Sequence, residues 1–196
     1  MALATDQNLK EQIEQRIDEI GDYYNQNKGV ILTETDLQCM LYNKLLEIEQ
    51  LKILKRTANA EEILTHYVHT EVSWFDYDRK LTLKPDINLI EPSSLKVGNG
   101  QKSIAMSASK GFYFEGGGII FELKFNRYKS TKKFLKEIQK DFEKFDKLKR
   151  LHDDIYCYFV IFNKTNNLCH ELQNFINNNS STSQHKLIYK SGNFEE

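Results

Sequence analysis

Gly116-Gly117-Gly118-Ile119-Ile120-Phe121-Glu122-Leu123-Lys124-Phe125 is the stretch on which the fold turns. Three glycines release a run of branched and aromatic residues, the composition of a β-strand. Side chains alternate along a strand, so Ile119, Phe121, Leu123 and Phe125 share one face and Ile120, Glu122 and Lys124 the other. Glu122 and Lys124 are then same-face neighbours roughly 7 Å apart. A carboxylate and an amine fixed on one rigid element can serve a metal ion and a water together. The flanking apolar residues mark an interior strand, where an unpartnered charge is costly.

Working outward, the alternation predicts a second strand over 80–90. Leu81, Leu83, Ile87 and Leu89 fall on one face, and Lys84, Asp86 and Asn88 on the other. If the two strands pair, Asp86 sits beside Glu122. Residues 66–75 are also strand-like, and the charged segment 76–79 is expected to turn them into an antiparallel hairpin with the Asp86 strand. Ahead of the hairpin, Leu9, Ile13, Ile17, Ile20 and Tyr24 recur at helical spacing over about 6–27. Thr33 and Asp36 form a capping box for a second helix whose buried stripe is Leu37, Met40, Leu41, Leu45 and Ile48.

Residues 91–115 read as a long loop with a short strand at 112–114. Past the Glu122 strand, Ser130 or Thr131 caps a third helix with the stripe Phe134, Ile138, Phe142, Phe145 and Leu148. Residues 155–162 form a nearly all-apolar strand, suited to a sheet covered on both faces. Leu168, Leu172, Phe175 and Ile176 give a fourth helix, and 186–189 a final edge strand. The order is that of an α/β chain with a mixed sheet flanked by helices.

At 196 residues the chain suits one domain spanning 1–196 with a sizeable core. Its formal charge of −1 gives no global attraction to nucleic acid. The charge is polarised, however: residues 1–50 carry four basic and ten acidic side chains, and residues 122–150 eleven basic and five acidic. Cys39, Cys157 and Cys169 show no CxxC pairing and read as reduced, mostly packed thiols of a cytoplasmic protein. The N-terminus has no signal-peptide pattern. The longest apolar run, Tyr156 to Phe162, is far too short to span a bilayer, so no membrane partner is expected.

Pro85-Asp86 followed by Glu122-Leu123-Lys124 resembles the signature of the PD-(D/E)xK nuclease superfamily. The order of helices and strands is similar to the restriction-endonuclease-like core, over about residues 30–176, with an extra N-terminal helix. The resemblance implies divalent-metal-dependent hydrolysis of nucleic acid phosphodiesters, with DNA rather than RNA as substrate, and endonucleolytic action. A hard cation, Mg²⁺ or Mn²⁺, is expected on Asp86 and Glu122. By the family pattern the Leu123 backbone carbonyl joins them. Lys124 would orient the attacking water and offset phosphate charge, with a pKa lowered by desolvation beside a divalent ion.

Many relatives add a glutamate from the helix before the hairpin, and Glu34 fits that position. An equal reading of Glu34 is an acid favouring a helix N-terminus through the dipole. Glu71 is a weaker extra acid. Arg127, Lys129 and Lys132 are best placed to meet a nucleic-acid backbone, and Lys96, Lys102 and Lys110 are secondary contacts. Lys133, Lys136, Lys140, Lys144 and Lys147 form first of all the solvent face of the third helix. Gln139 reads as a surface residue, and His66-x-x-His69 lacks the partners of a zinc site.

Two other roles compete with the nuclease. One is a catalytically inactive nuclease-fold protein acting as a nucleic-acid-binding or assembly subunit. The other is an unrelated α/β binding protein. Double-strand cleavage by a single-site subunit would favour a homodimer.

Overall fold

The computed structural model describes residues 3–27, 29–75, 80–97, 112–114, 116–126, 131–152, 154–165 and 169–192. The helices are α1 (Gln7–Gln26), α2 (Glu34–Leu46), α3 (Glu49–Lys52), α4 (Thr131–Leu151) and α5 (His170–Asn178). The strands are β1 (Lys55–Arg56), β2 (Leu64–Thr65), β3 (Val68–Thr70), β4 (Trp74–Phe75), β5 (Leu81–Leu83), β6 (Ile87–Ile90), β7 (Leu95–Val97), β8 (Phe112–Phe114), β9 (Gly118–Asn126), β10 (Ile155–Asn163) and β11 (His185–Ser191).

The fold is mixed α/β. A five-stranded sheet runs β11-β10-β9-β6-β3. β9, β10 and β11 are mutually parallel, and β6 and β3 are added antiparallel. Helices α4 and α5 supply the two crossovers that parallel pairing requires. All nine residues of β10 are buried, which fits a strand covered on both faces.

Its alternate side chains divide between two cores. Tyr156, Tyr158, Val160 and Phe162 join Ile119, Phe121 and Leu123 of β9 under α1 and α2. Ile155, Cys157, Phe159 and Ile161 join Ile120 under the Phe134–Leu148 stripe of α4. Leu9, Ile13, Ile17, Ile20 and Tyr24 of α1 and Leu187 of β11 are buried with them.

The expected continuous strand over 80–90 is broken at Lys84-Pro85-Asp86. β5 pairs with β4 in a separate two-stranded sheet, while β6 pairs with β3 and β9. Proline lacks the N–H a ladder needs, and this break lets Leu83 pack with Trp74 on the α4 side while Ile87 and Leu89 pack on the α2 side. Trp74 Nε1 donates to the buried Asn88 Oδ1 at 2.8 Å, tying the small sheet to the large one. The 66–75 strand is likewise split, at Glu71, whose φ of +53° turns the chain.

The expected 91–115 loop contains an antiparallel ladder, β7 with β8. Lys102 and Lys110 lie outside the described residues. Thr33 caps α2 with Asp36 in a two-way capping box, as expected. Cys39 is exposed, unlike the packed thiol expected, and Cys157 is buried. Among the described residues, no helix is long and apolar enough to cross a membrane.

Gly117 and Gly118 permit a close approach. A Cβ on Gly117 would collide with the Asp154 carbonyl, and one on Gly118 with the Leu89 carbonyl. The glycines thus admit the start of β9 between its neighbours.

Candidate functional site

The site forms where β9 outruns β6. The antiparallel ladder begins with Ile87 opposite Phe121, so among the described residues β9 beyond that point has no strand on that side. Backbone donors on such an overhang need other partners. Carboxylates supply them. Asp86 Oδ2 accepts from the Leu123 N–H at 2.7 Å, and Glu34 Oε2 accepts from the Phe125 N–H at 3.4 Å. In an antiparallel ladder a residue's N–H and C=O point to the same neighbour, so the Leu123 carbonyl faces this edge too.

Carried one residue further, the same register sets Asp86 opposite Glu122. The Asp86 backbone is held from two elements. Its carbonyl accepts from Gln38 Nε2 on α2 at 2.7 Å and from the Glu71 N–H at 3.1 Å. Glu71 itself pairs with Lys84 at 2.6 Å.

Glu122 and Lys124 share the α4 face of β9, as the alternation predicts. Lys124 Nζ lies 2.8 Å from Glu122, 3.1 Å from Asp141 of α4 and 3.6 Å from Glu34. Asp141 also meets Lys144 at 2.6 Å. One ammonium thus serves three acids at a place where the Lys124 side chain is only 12% exposed.

The electrostatics follow from that surplus. Burial pushes the Asp86 carboxyl up to about 6, against the Leu123 N–H and the Lys124 charge, with Glu34 and Glu71 adding to the rise. Burial likewise raises Glu122 to about 7, opposed by Lys124 and reinforced by Asp86 and Asp141. Burial acts to lower the Lys124 pKa, but Glu122, Glu34 and Asp141 outweigh it, so the ammonium stands above its ordinary range. Among the chain's own charges the shift is therefore opposite to the lowering expected beside a divalent ion. Burial would raise Asp141 too, yet its hydrogen bonds from Lys144 and Lys124 hold it below the usual carboxylate range. Lys124 stays charged, while burial holds both Asp86 and Glu122 above the usual carboxylate range.

Asp86, Glu122, Lys124 and Glu34, scattered over 91 residues of sequence, meet at this one place. Arg127 and Lys129 lie outside the described residues, and Lys132 is exposed at the start of α4. Gln139 is exposed, and Lys133, Lys136, Lys140 and Lys147 face solvent, as expected of that helix face. His69 Nε2 lies 2.9 Å from the His66 carbonyl.

Two participants escaped the sequence reading. Gln38 lies one turn after Glu34, a spacing that puts both on one helix face. Asp141 follows the buried Ile138 by three and precedes the buried Phe145 by four, an acid at a core-facing phase of the helix.

The donor set is hard oxygen, with an excess of negative charge that a small divalent cation would neutralise. Among the described residues there is no group of three or more histidine, cysteine, aspartate or glutamate side chains placed to hold an ion. A cation here would draw on Asp86, Glu122, the Leu123 carbonyl and solvent. That sparse set fits Mg²⁺, which keeps several waters and takes one or two carboxylates. No protein-family model, no curated protein and no solved structure matches this chain.

Proposed function

We propose that this chain is a divalent-metal-dependent nuclease of the PD-(D/E)xK type, cutting DNA endonucleolytically inside the cell. The observation that carries the reading is the hydrogen bond from the Leu123 N–H to Asp86. It joins the Pro-Asp and Glu-x-Lys segments at the residue between Glu122 and Lys124. An ordinary surface salt pair would not account for a second, half-buried acid brought there from the turn before β6, with its pKa raised by burial.

In this reading Asp86 and Glu122 hold the cation, with Leu123 giving its carbonyl. When bound, Mg²⁺ or Mn²⁺ supplies acidified water and charge neutralisation at the phosphate. Lys124, pinned between strand and helix, orients the attacking water and offsets charge on the phosphate oxygens. Glu34 helps hold the ammonium in the site. The water oxygen forms the new bond to phosphorus as the bond to the leaving sugar oxygen breaks, the water giving up a proton to solvent and the sugar oxygen taking one from it.

The test is nicking and linearisation of supercoiled plasmid with Mg²⁺ or Mn²⁺. Wild type should cut, and Lys124→Ala and Asp86→Ala should not. Equal cutting by all three would mark a contaminant and remove the enzyme reading. DNA binding without cutting by wild type would move the chain to the inactive, nucleic-acid-binding role. Dependence of double-strand cleavage on the square of protein concentration would reveal the homodimer.

A further inference from the structure

The proposed hydrolysis leaves Asp141 without a part. Its placement is nonetheless specific. The helical phase that turns Ile138 and Phe145 into the core carries the Asp141 carboxylate toward β9. One of its oxygens lies 3.1 Å from Lys124 and the other 2.6 Å from Lys144. Lys144, on the outer side of α4, anchors the carboxylate from solvent and leaves its inner oxygen directed at Lys124.

Lys124 is therefore shared among three acids, of which Glu34 stands farthest at 3.6 Å and the two nearer ones differ in standing. Glu122, at 2.8 Å, is one that the proposed cation needs; Asp141, at 3.1 Å, is one it does not. Glu122, if it held a cation, would have less of its carboxylate to offer the ammonium, and the two positive charges would repel. A lysine in so sheltered a site needs another anion to remain there. Asp141 is already in contact, so the exchange requires only a small swing of a flexible side chain.

We infer that Asp141 is a positioning residue of this site: it takes the Lys124 ammonium from Glu122 as a divalent cation docks, and keeps it beside the reacting phosphate. This rests on the reading of Asp86 and Glu122 as cation ligands. Its consequence is that Asp141 tunes cation affinity, and does so through Lys124.

The test is Mn²⁺ binding by titration calorimetry, without substrate, on wild type, Asp141→Asn, Lys124→Met and the double variant. Asp141→Asn is expected to weaken Mn²⁺ binding about five- to tenfold, because Lys124 then leans more heavily on Glu122, with only the more distant Glu34 to share it. Lys124→Met should tighten it by a similar factor. In the Lys124→Met background, Asp141→Asn should change affinity by less than about twofold, since the competitor is gone. Asp141→Glu, which retains the charge, should bind within about twofold of wild type, and Asp141→Ser, which loses it, should repeat the asparagine loss and stands in for that variant if it does not fold.

An equal loss in both backgrounds overturns the inference, because Asp141 would then act on the cation through its own field. Wild-type affinity in Asp141→Asn also overturns it, and if that variant still cuts DNA the nuclease reading stands. Wild type that binds no Mn²⁺ removes both, and Asp86→Asn that binds Mn²⁺ like wild type shifts the cation elsewhere and removes both as well.

Discussion

The Asp86 carboxylate accepts the Leu123 amide at 2.7 Å, bridging 37 residues of sequence. One side chain thereby performs two tasks. It satisfies a backbone donor on the β9 overhang, and it brings a second acid to Glu122. A carboxylate is suited to both because it retains acceptor capacity after taking one hydrogen bond.

Asp86→Asn separates those tasks. The amide oxygen still accepts from Leu123, so the fold should persist, with an unfolding free energy within about 1 kcal/mol of wild type. Plasmid cutting should fall at least about a hundredfold, because the acid is lost as a cation ligand. Circular dichroism against urea, run beside the nicking assay, checks both halves.

The two raised carboxyls set a pH dependence. Asp86 titrates at about 6 and Glu122 at about 7 when folded, against ordinary values of 3.8 and 4.5. Folded protein therefore binds protons more tightly at both groups. Their stabilising contribution is full below the ordinary carboxylate values and is lost as the pH rises through about 6 and about 7. Thermal melts without metal should show this component of the midpoint declining across that window, and saturating Mg²⁺ should restore it above pH 7.

Glu122→Gln tests the same charge from the other side. Glu122 is only 7% exposed, and its ionised form is disfavoured at neutral pH. The neutral isostere should stabilise the metal-free protein at pH 8 by on the order of 1–3 kcal/mol. Cutting should vanish and the Mg²⁺-dependent gain in melting temperature should shrink. A destabilised Glu122→Gln protein would mean that the ion pair with Lys124 outweighs burial.

Gln38→Ala removes the α2 donor to the Asp86 carbonyl, leaving the Glu71 N–H. The cost in stability should be about 1 kcal/mol. The rate of cutting should fall about tenfold or more, since Asp86 loses one of the contacts that aim it. Urea midpoints and single-turnover cleavage together read whether Gln38 positions the site beyond its effect on the fold.

Gly118→Ala probes the entry of β9. The new methyl would meet the Leu89 carbonyl, a backbone atom that cannot swing aside. A loss of about 2–4 kcal/mol in urea unfolding is expected.

Much of this was written locally in the chain. The α2 capping box, the stripes of α1 and α4, the two-sided burial of β10 and the faces of β9 all follow from spacing and capping chemistry within one segment. So does the pairing of Glu122 with Lys124. What spacing could not give is where one strand stops beside another. The break at Lys84-Pro85-Asp86 sends β5 to a different sheet, and the overhang it leaves on β9 creates the amides that Asp86 and Glu34 cap. Asp141 and Gln38 were invisible for the same reason: periodicity says which face a residue occupies, while only packing decides which polar group waits on the other side.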